Sequence, residues 1–375
     1  MSCNKILSSW LRLSLQRNVF FGLAFIIELL LFLTSPSLAL AQQRSGASAA
    51  SPIEQDVHAL EVGKPIEREL AGGQTHIYQL PLEANQFAHV LVDQRGIDVK
   101  ITLTMPGSSQ IIADSQNGDY GHEPVLWIAP VAGVYLLELS AQKGIGRYQI
   151  NLVALQAATQ KERTLAQAFK LYSQSVSLEL ALRQLPANQR NYDEAIAVGE
   201  SARQMQEQAL GTDHPDTALT LYHLAILYLA RAMPPADYTQ AELLLRRAIK
   251  NWEKEWGNEH LGLRRPLNFL AKVQKNAGNI VQEELLYDRV RKMCEKLLPD
   301  DHRDLASARF NLGEILGRKR EFEKAEELLK KALKTFVAMN GPKDPSAINC
   351  RAVLANTYVL HDKYSQAETL FQEQL

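Results

Sequence analysis

The sequence predicts a multidomain chain in which an antiparallel β-sandwich is followed by an all-α solenoid. Three observations carry this. Between Val57 and Leu155, apolar and polar residues alternate in short runs broken by Gly and Pro, the period-two pattern of half-buried strands. From about residue 160 onward the apolar residues recur every three or four positions, as on one face of a helix. The helical part also repeats itself: the Leu-small pairs Leu224-Ala225, Leu270-Ala271, Leu312-Gly313 and Leu354-Ala355 are spaced by 46, 42 and 42 residues. Such a period marks an array of helix pairs.

The chain begins with a separate signal. Lys5, Arg12 and Arg17 precede the apolar run Val19–Leu33, and Ala39-Leu40-Ala41 follows. A basic start, an apolar middle and an A-x-A site predict a signal peptide over residues 1–41, cleaved after Ala41. The alternative is an uncleaved anchor, which Glu28 within the apolar run disfavours. The expected location is therefore exported, periplasmic or secreted, with membrane contact only through this segment. Residues 42–56 are rich in Ala, Ser and Gln and read as a linker.

Residues 57–155 contain eight strand-like runs, from KPIEREL to GRYQINLVAL, punctuated by Gly72-Gly73, Pro106-Gly107, Asn117-Gly118-Asp119 and Ala132-Gly133. The opening LEVGKPIERELAGGQTHIYQLPL, the central GIDVKITLTMPG and the closing AGVYLLELSAQKGIGRYQINL resemble the bacterial pre-peptidase C-terminal domain. That resemblance implies a jelly-roll-like sandwich.

In residues 160–375, second helices start near Tyr192, Tyr238, Ile280, Phe322 and Tyr364. In the stretch EFEKAEELLKKALKTF, Phe322, Ala325, Leu328, Leu329, Ala332, Leu333 and Phe336 are expected to be buried along one stripe. Ala241, Ala325 and Ala367 let paired helices approach, and Ala248 and Ala332 serve the next repeat. Glu283 and Val290 break this pattern in the third copy. The linking turns GTDHPD, GNEHLG, PDDHRD and GPKDPS place a His or Asp where a helix needs a cap. The longer first step points to a loop insertion at Ala230–Asp237, where two prolines stand. In the first copy Glu179 replaces the small residue after Leu178. This pattern resembles the tetratricopeptide repeat in its 42-residue, kinesin-light-chain-like form. The fold class is thus a jelly-roll-like sandwich followed by a tetratricopeptide solenoid whose last repeat is incomplete.

The 375 residues carry a formal net charge of −1, with 46% hydrophobic and 22% charged residues. No basic surplus suits nucleic acid. No G-x-x-x-x-G-K-[ST], H-E-x-x-H or G-x-S-x-G occurs, and Gly144 and Gly146 make only half of a dinucleotide fingerprint. No catalytic residue, metal ligand or cofactor is expected. His214, His260 and His302 sit in successive turns, too far apart for the roughly 2 Å bonds of one zinc ion. Asp114, Asn117 and Asp119 are rich in oxygen but lack a full calcium loop. Cys294 and Cys350 fall on different helices and are expected unpaired.

The expected function is non-catalytic binding of a peptide or protein, as a scaffold. In such arrays the first helix of each repeat lines the concave face. Counting from each Leu-small pair nominates His223, Arg265, Lys272, Ser307, Asn311, Glu314, Asn349 and Asn356, with Ile226, Phe269 and Val353 beside them. In the kinesin-light-chain type an Asn just before the pair binds peptide backbone. Asn311 fits that place, whereas His223, Phe269 and Val353 depart from it. The combination of parts is similar to the front of bacterial proteins that end in a CHAT-type, caspase-like peptidase, and the chain reads as a truncated or abbreviated member. Two further readings are therefore the recognition portion of such a peptidase, and a sandwich that binds carbohydrate or a surface. The last second helix stops at Leu375, so self-association through an open end is a further expectation.

Overall fold

The computed structural model describes residues 57–107, 110–113, 118–233 and 235–372. The expected signal peptide and linker lie outside the described residues, as do Asp114 and Asn117. No helix of the described residues is long and apolar enough to cross a membrane.

Among the described residues nine strands form two sheets: β1 Val57–Ala59, β2 Ile66–Ala71, β3 Thr75–Leu82, β4 Gln86–Arg95, β5 Lys100–Thr104, β6 Gln110–Ala113, β7 Tyr120–Ile128, β8 Gly133–Ser140 and β9 Ile145–Ala157. Their orders are β1-β3-β8-β5-β6 and β2-β9-β4-β7. Pairing is antiparallel except at the short edge strand β1, which runs parallel to β3. Leu70, Tyr78, Val90, Ile101, Val125, Leu137 and Ile150 fill the space between the sheets. A bulge breaks the β4–β9 ladder: His89 pairs with Ala154 and Val90 with Leu152, so Val153 is left unpaired.

The second sheet departs from a sandwich with a wet outer face. In β4 and β7 the outward residues His89, Leu91, His122, Pro124 and Leu126 are half-buried. Helices cover them. Helix α1 (Gln160–Arg183) packs its first turns on β7, and Arg163 donates to Asn85 Oδ1 at 2.6 Å. One apolar core runs without a break from Leu60 in the sandwich to Ala308 among the helices.

The helices follow as pairs: α1 with α2 (Asp193–Leu210), α3 (Ala218–Arg231) with α4 (Ala236–Trp256), α5 (Arg264–Asn276) with α6 (Ile280–Leu297), α7 (Arg303–Arg318) with α8 (Phe322–Asn340), and α9 (Pro345–Leu360) with α10 (Tyr364–Gln372). The capping turns explain the recurring sequence. His214 Nδ1 accepts the Asp216 N–H at 3.2 Å. His260 and His302 do the same for Gly262 and Asp304, each at 3.1 Å. Asp344 Oδ1 accepts from Ser346 at 2.8 Å. Each side chain satisfies a backbone donor that the helix start leaves without a partner. Gly211, Gly257 and Gly341 end α2, α4 and α8 at φ of +89°, +78° and +84°, where a Cβ would be strained.

Close packing explains the small residues. Ala241, Ala248, Ala325, Ala332 and Ala367 are all buried. A Cβ on Gly313 would lie 2.8 Å from Leu329 Cγ. Glu283, at an Ala position, is buried and takes Arg318 of α7 at 2.9 Å. The insertion between Leu224 and Tyr238 is only partly loop. Helix α4 starts at Ala236, two residues ahead of Tyr238, the position that aligns with the starts of α6 and α8. Asp237 is buried there and binds Arg231 at 2.7 Å.

Candidate interaction surface

The 42-residue step makes the nominated residues directly comparable. Arg265, Ser307 and Asn349 share one register, and His223, Phe269, Asn311 and Val353 share another. The structure gives these equivalents different surroundings.

His223 is a correction. It is 2% exposed and cannot touch a partner. Its Nε2 lies 2.9 Å from Ser175 Oγ, its Nδ1 lies 3.7 Å from Glu179 Oε2, and Tyr172 meets it edge-on at 5.5 Å. The degenerate first helix pair is what covers it. Burial depresses its pKa to about 3, so the ring is neutral. Serine, histidine and carboxylate in this order invite comparison with a hydrolytic triad, but the protons are wrong. Ser175 gives its one hydroxyl proton to the Ala195 carbonyl at 2.7 Å. The Nε2 nitrogen must then donate to Ser175 and cannot act as its base. All three side chains are also enclosed.

Arg265 packs against the sandwich, although its side chain stays 38% exposed. The Gly118-Asp119 turn before β7 meets the start of α5. A Cβ on Gly118 would lie 2.0 Å from Arg265 Cζ, and Arg265 Nη2 is 4.0 Å from Asp119. Beside it, Arg264 is 9% exposed and bridges Asp119 and Asp304, each at 2.9 Å. Burial holds the Asp304 carboxyl above its ordinary range. His122 of β7 adds a contact to Glu255 at 3.1 Å and an edge-on contact to Trp256. Asp119, the described member of the oxygen-rich loop, is therefore committed to arginine.

Beyond this contact the predicted residues converge. Ser307 and Asn311 of α7 and Asn349 of α9 line one groove of about 310 Å³, with Phe310, Phe336 and Pro345 as its apolar parts. Among the described residues the Asn311 and Asn349 amides make no hydrogen bond to protein. Amides beside aromatic rings can take backbone polar groups and apolar side chains together. The other nominees lie apart. Glu314 is tied to Lys275 at 2.6 Å, Lys272 lies over the Phe269 ring at 5.3 Å, and Asn356 is exposed further along α9. Sequence reasoning placed Phe336 in the core stripe. Its ring does both jobs, being 4% exposed yet part of the groove wall.

The thiols of Cys294 and Cys350 are buried and unpaired, and burial raises both to about 12. Among the described residues no group of three or more His, Cys, Asp or Glu could hold a metal ion.

A tetratricopeptide repeat family model matches residues 187–236 and 304–375. No curated protein matches the chain. Among solved structures, the chain is similar to a Podosopora anserina kinesin light chain with TPR-like repeats, at 19% identity and a TM-score of 0.46, covering 55% of this chain and 93% of that one. It is similar to BtubC from P. vanneervenii at 18% identity and a TM-score of 0.41, covering 58% and 91%. The sandwich is similar to the pre-peptidase C-terminal domain of a Bacillus anthracis collagenase at 17% identity and a TM-score of 0.22, covering 26% and 94%. Residues 187–236 and 304–375 thus carry tetratricopeptide repeats, and the helix pairs between them continue the same capped, repeating pattern.

Proposed function

We propose that this chain is an exported, non-catalytic scaffold that takes an extended segment of a partner protein into the groove between α7 and α9. The observation that supports it most is the meeting of Ser307, Asn311 and Asn349 with Phe310 and Phe336 in that groove. Asparagine amides there face no competing protein partner, so they can bind peptide backbone, while the rings take an apolar side chain. The N-terminal segment supports export, and N-terminal sequencing of the secreted chain tests it by reading Gln42 as the first residue.

The binding claim is tested by selecting peptides on the full chain from a displayed random library. Selected peptides should lose at least about tenfold in affinity to the Asn311→Ala, Asn349→Ala double variant, equivalent to about 1.4 kcal/mol. Peptides that bind both proteins equally would place recognition elsewhere.

A further inference from the structure

A second cavity lies where the sandwich meets the first helix pairs. It encloses about 360 Å³ and is walled by β4, β7 and β9 on one side and by α1 to α4 on the other. That volume is at the low end of the roughly 300–1,000 Å³ found for small-molecule pockets.

Its chemistry is asymmetric. Leu91, Leu126, Phe169, Leu219 and Trp252 supply an apolar body. The charged groups along the wall are carboxylates, Asp216 and Glu255, and no Lys or Arg is among the described residues that line it. Glu255 is held in place by His122. His89 stands on the same wall, and burial lowers its pKa. The side-chain amide oxygen of Gln206, Oε1, is buried at the wall and accepts no hydrogen bond among the described residues. A buried acceptor left without a donor costs about 1–3 kcal/mol, so a ligand that donates there gains what the protein leaves unmade. The bulge in β9 sets Val153 at the wall with 42% of its surface open, which fits an entrance.

We propose that this cavity binds a small organic amine. Its ammonium group meets Glu255, Asp216 and the Gln206 Oε1. Its aliphatic or aromatic body lies against Phe169, Leu219 and Trp252, and the rings of Phe169 and Trp252 also favour a nearby cation. The site is made jointly by the sandwich and the repeats, so neither part alone contains it. It is separate from the groove between α7 and α9.

Calorimetric titration of the full chain with 2-phenylethylammonium, 2-phenylethanol and phenylacetate tests the assignment. The amine should bind at least about tenfold tighter than the alcohol, and the carboxylate should bind weakest. Glu255→Gln should weaken the amine about five- to tenfold and leave the alcohol unchanged. Asp216→Asn, whose exposed side chain can change without refolding the wall, gives the same reading if Glu255→Gln is unstable. Val153→Trp at the entrance should abolish both. No heat with the amine at millimolar concentration, equal affinity for amine and alcohol, or amine binding indifferent to both acidic substitutions would overturn the proposal.

Discussion

Arg265 and Asn349 stand at the same place in the repeat, two 42-residue steps apart, yet one packs its guanidinium against a sandwich turn and the other opens on a groove. The neighbouring register says the same: Arg264 is buried between two aspartates, whereas Ile348 is 44% exposed. Equivalent positions in a solenoid share backbone geometry but not surroundings. The first three helix pairs and the sandwich form one core, so their surfaces are largely used internally. The last two pairs leave theirs open, at the groove proposed to take a partner.

Breaking the repeat core should have the greatest consequence. Leu312 is buried in the same register as Leu224 and Leu354, so Leu312→Asp should cost about 4 kcal/mol or more and melt the distal pairs. Circular dichroism on heating would show it, and an unchanged melting temperature would deny that register. Next comes the salt-bridged contact between the two parts. Arg264→Ala removes the one guanidinium that bridges Asp119 and Asp304 at 2.9 Å and should cost about 2–4 kcal/mol at neutral pH. Asp304 already has a raised folded pKa. Its contribution to stability is present in acid and is lost as pH rises through that raised value. The penalty of Arg264→Ala should accordingly shrink toward acid pH, and denaturant midpoints at several pH values check this.

His223 gives a finer test. Its folded pKa is depressed to about 3, below the ordinary value near 6.5. The unfolded chain therefore takes up a proton first. Stability should fall as pH drops from 6.5 toward 3, with a slope of at most about 1.4 kcal/mol per pH unit. His223→Gln should flatten that slope, and an unchanged slope would mean the ring is accessible. Gly118→Ala should cost about 1 kcal/mol, through its φ of +79° and the contact with Arg265. Asn311→Ala should change stability by less than about 0.5 kcal/mol while weakening peptide capture.

The repeat was legible because its stripe, caps and small residues recur at fixed steps, each under a local physical demand. The His turns were readable for the same reason. The docking of the sandwich was not, since it depends on surfaces remote in sequence. A trace of it was present in Leu91, Pro124 and Leu126, apolar or non-polar residues on the strand face expected to be wet. The burial of His223 had a trace too. Ser175 and Glu179, one helical turn apart, put polar groups into the stripe of α1 where a polar partner was required. Counting registers from the Leu-small pair assumed that every copy faces the same neighbours, and the first copy does not.

The difference between the two ends can be read by thiol labelling at equivalent positions. Arg265→Cys, Ser307→Cys and Asn349→Cys are introduced singly into the full chain, whose own Cys294 and Cys350 are buried. Maleimide reaction should be fastest at position 349 and slowest at 265, by about tenfold or more. Equal rates at 265 and 349 would mean that the sandwich turn does not shield the proximal repeats, and the two ends of the solenoid would not differ in the surface they offer.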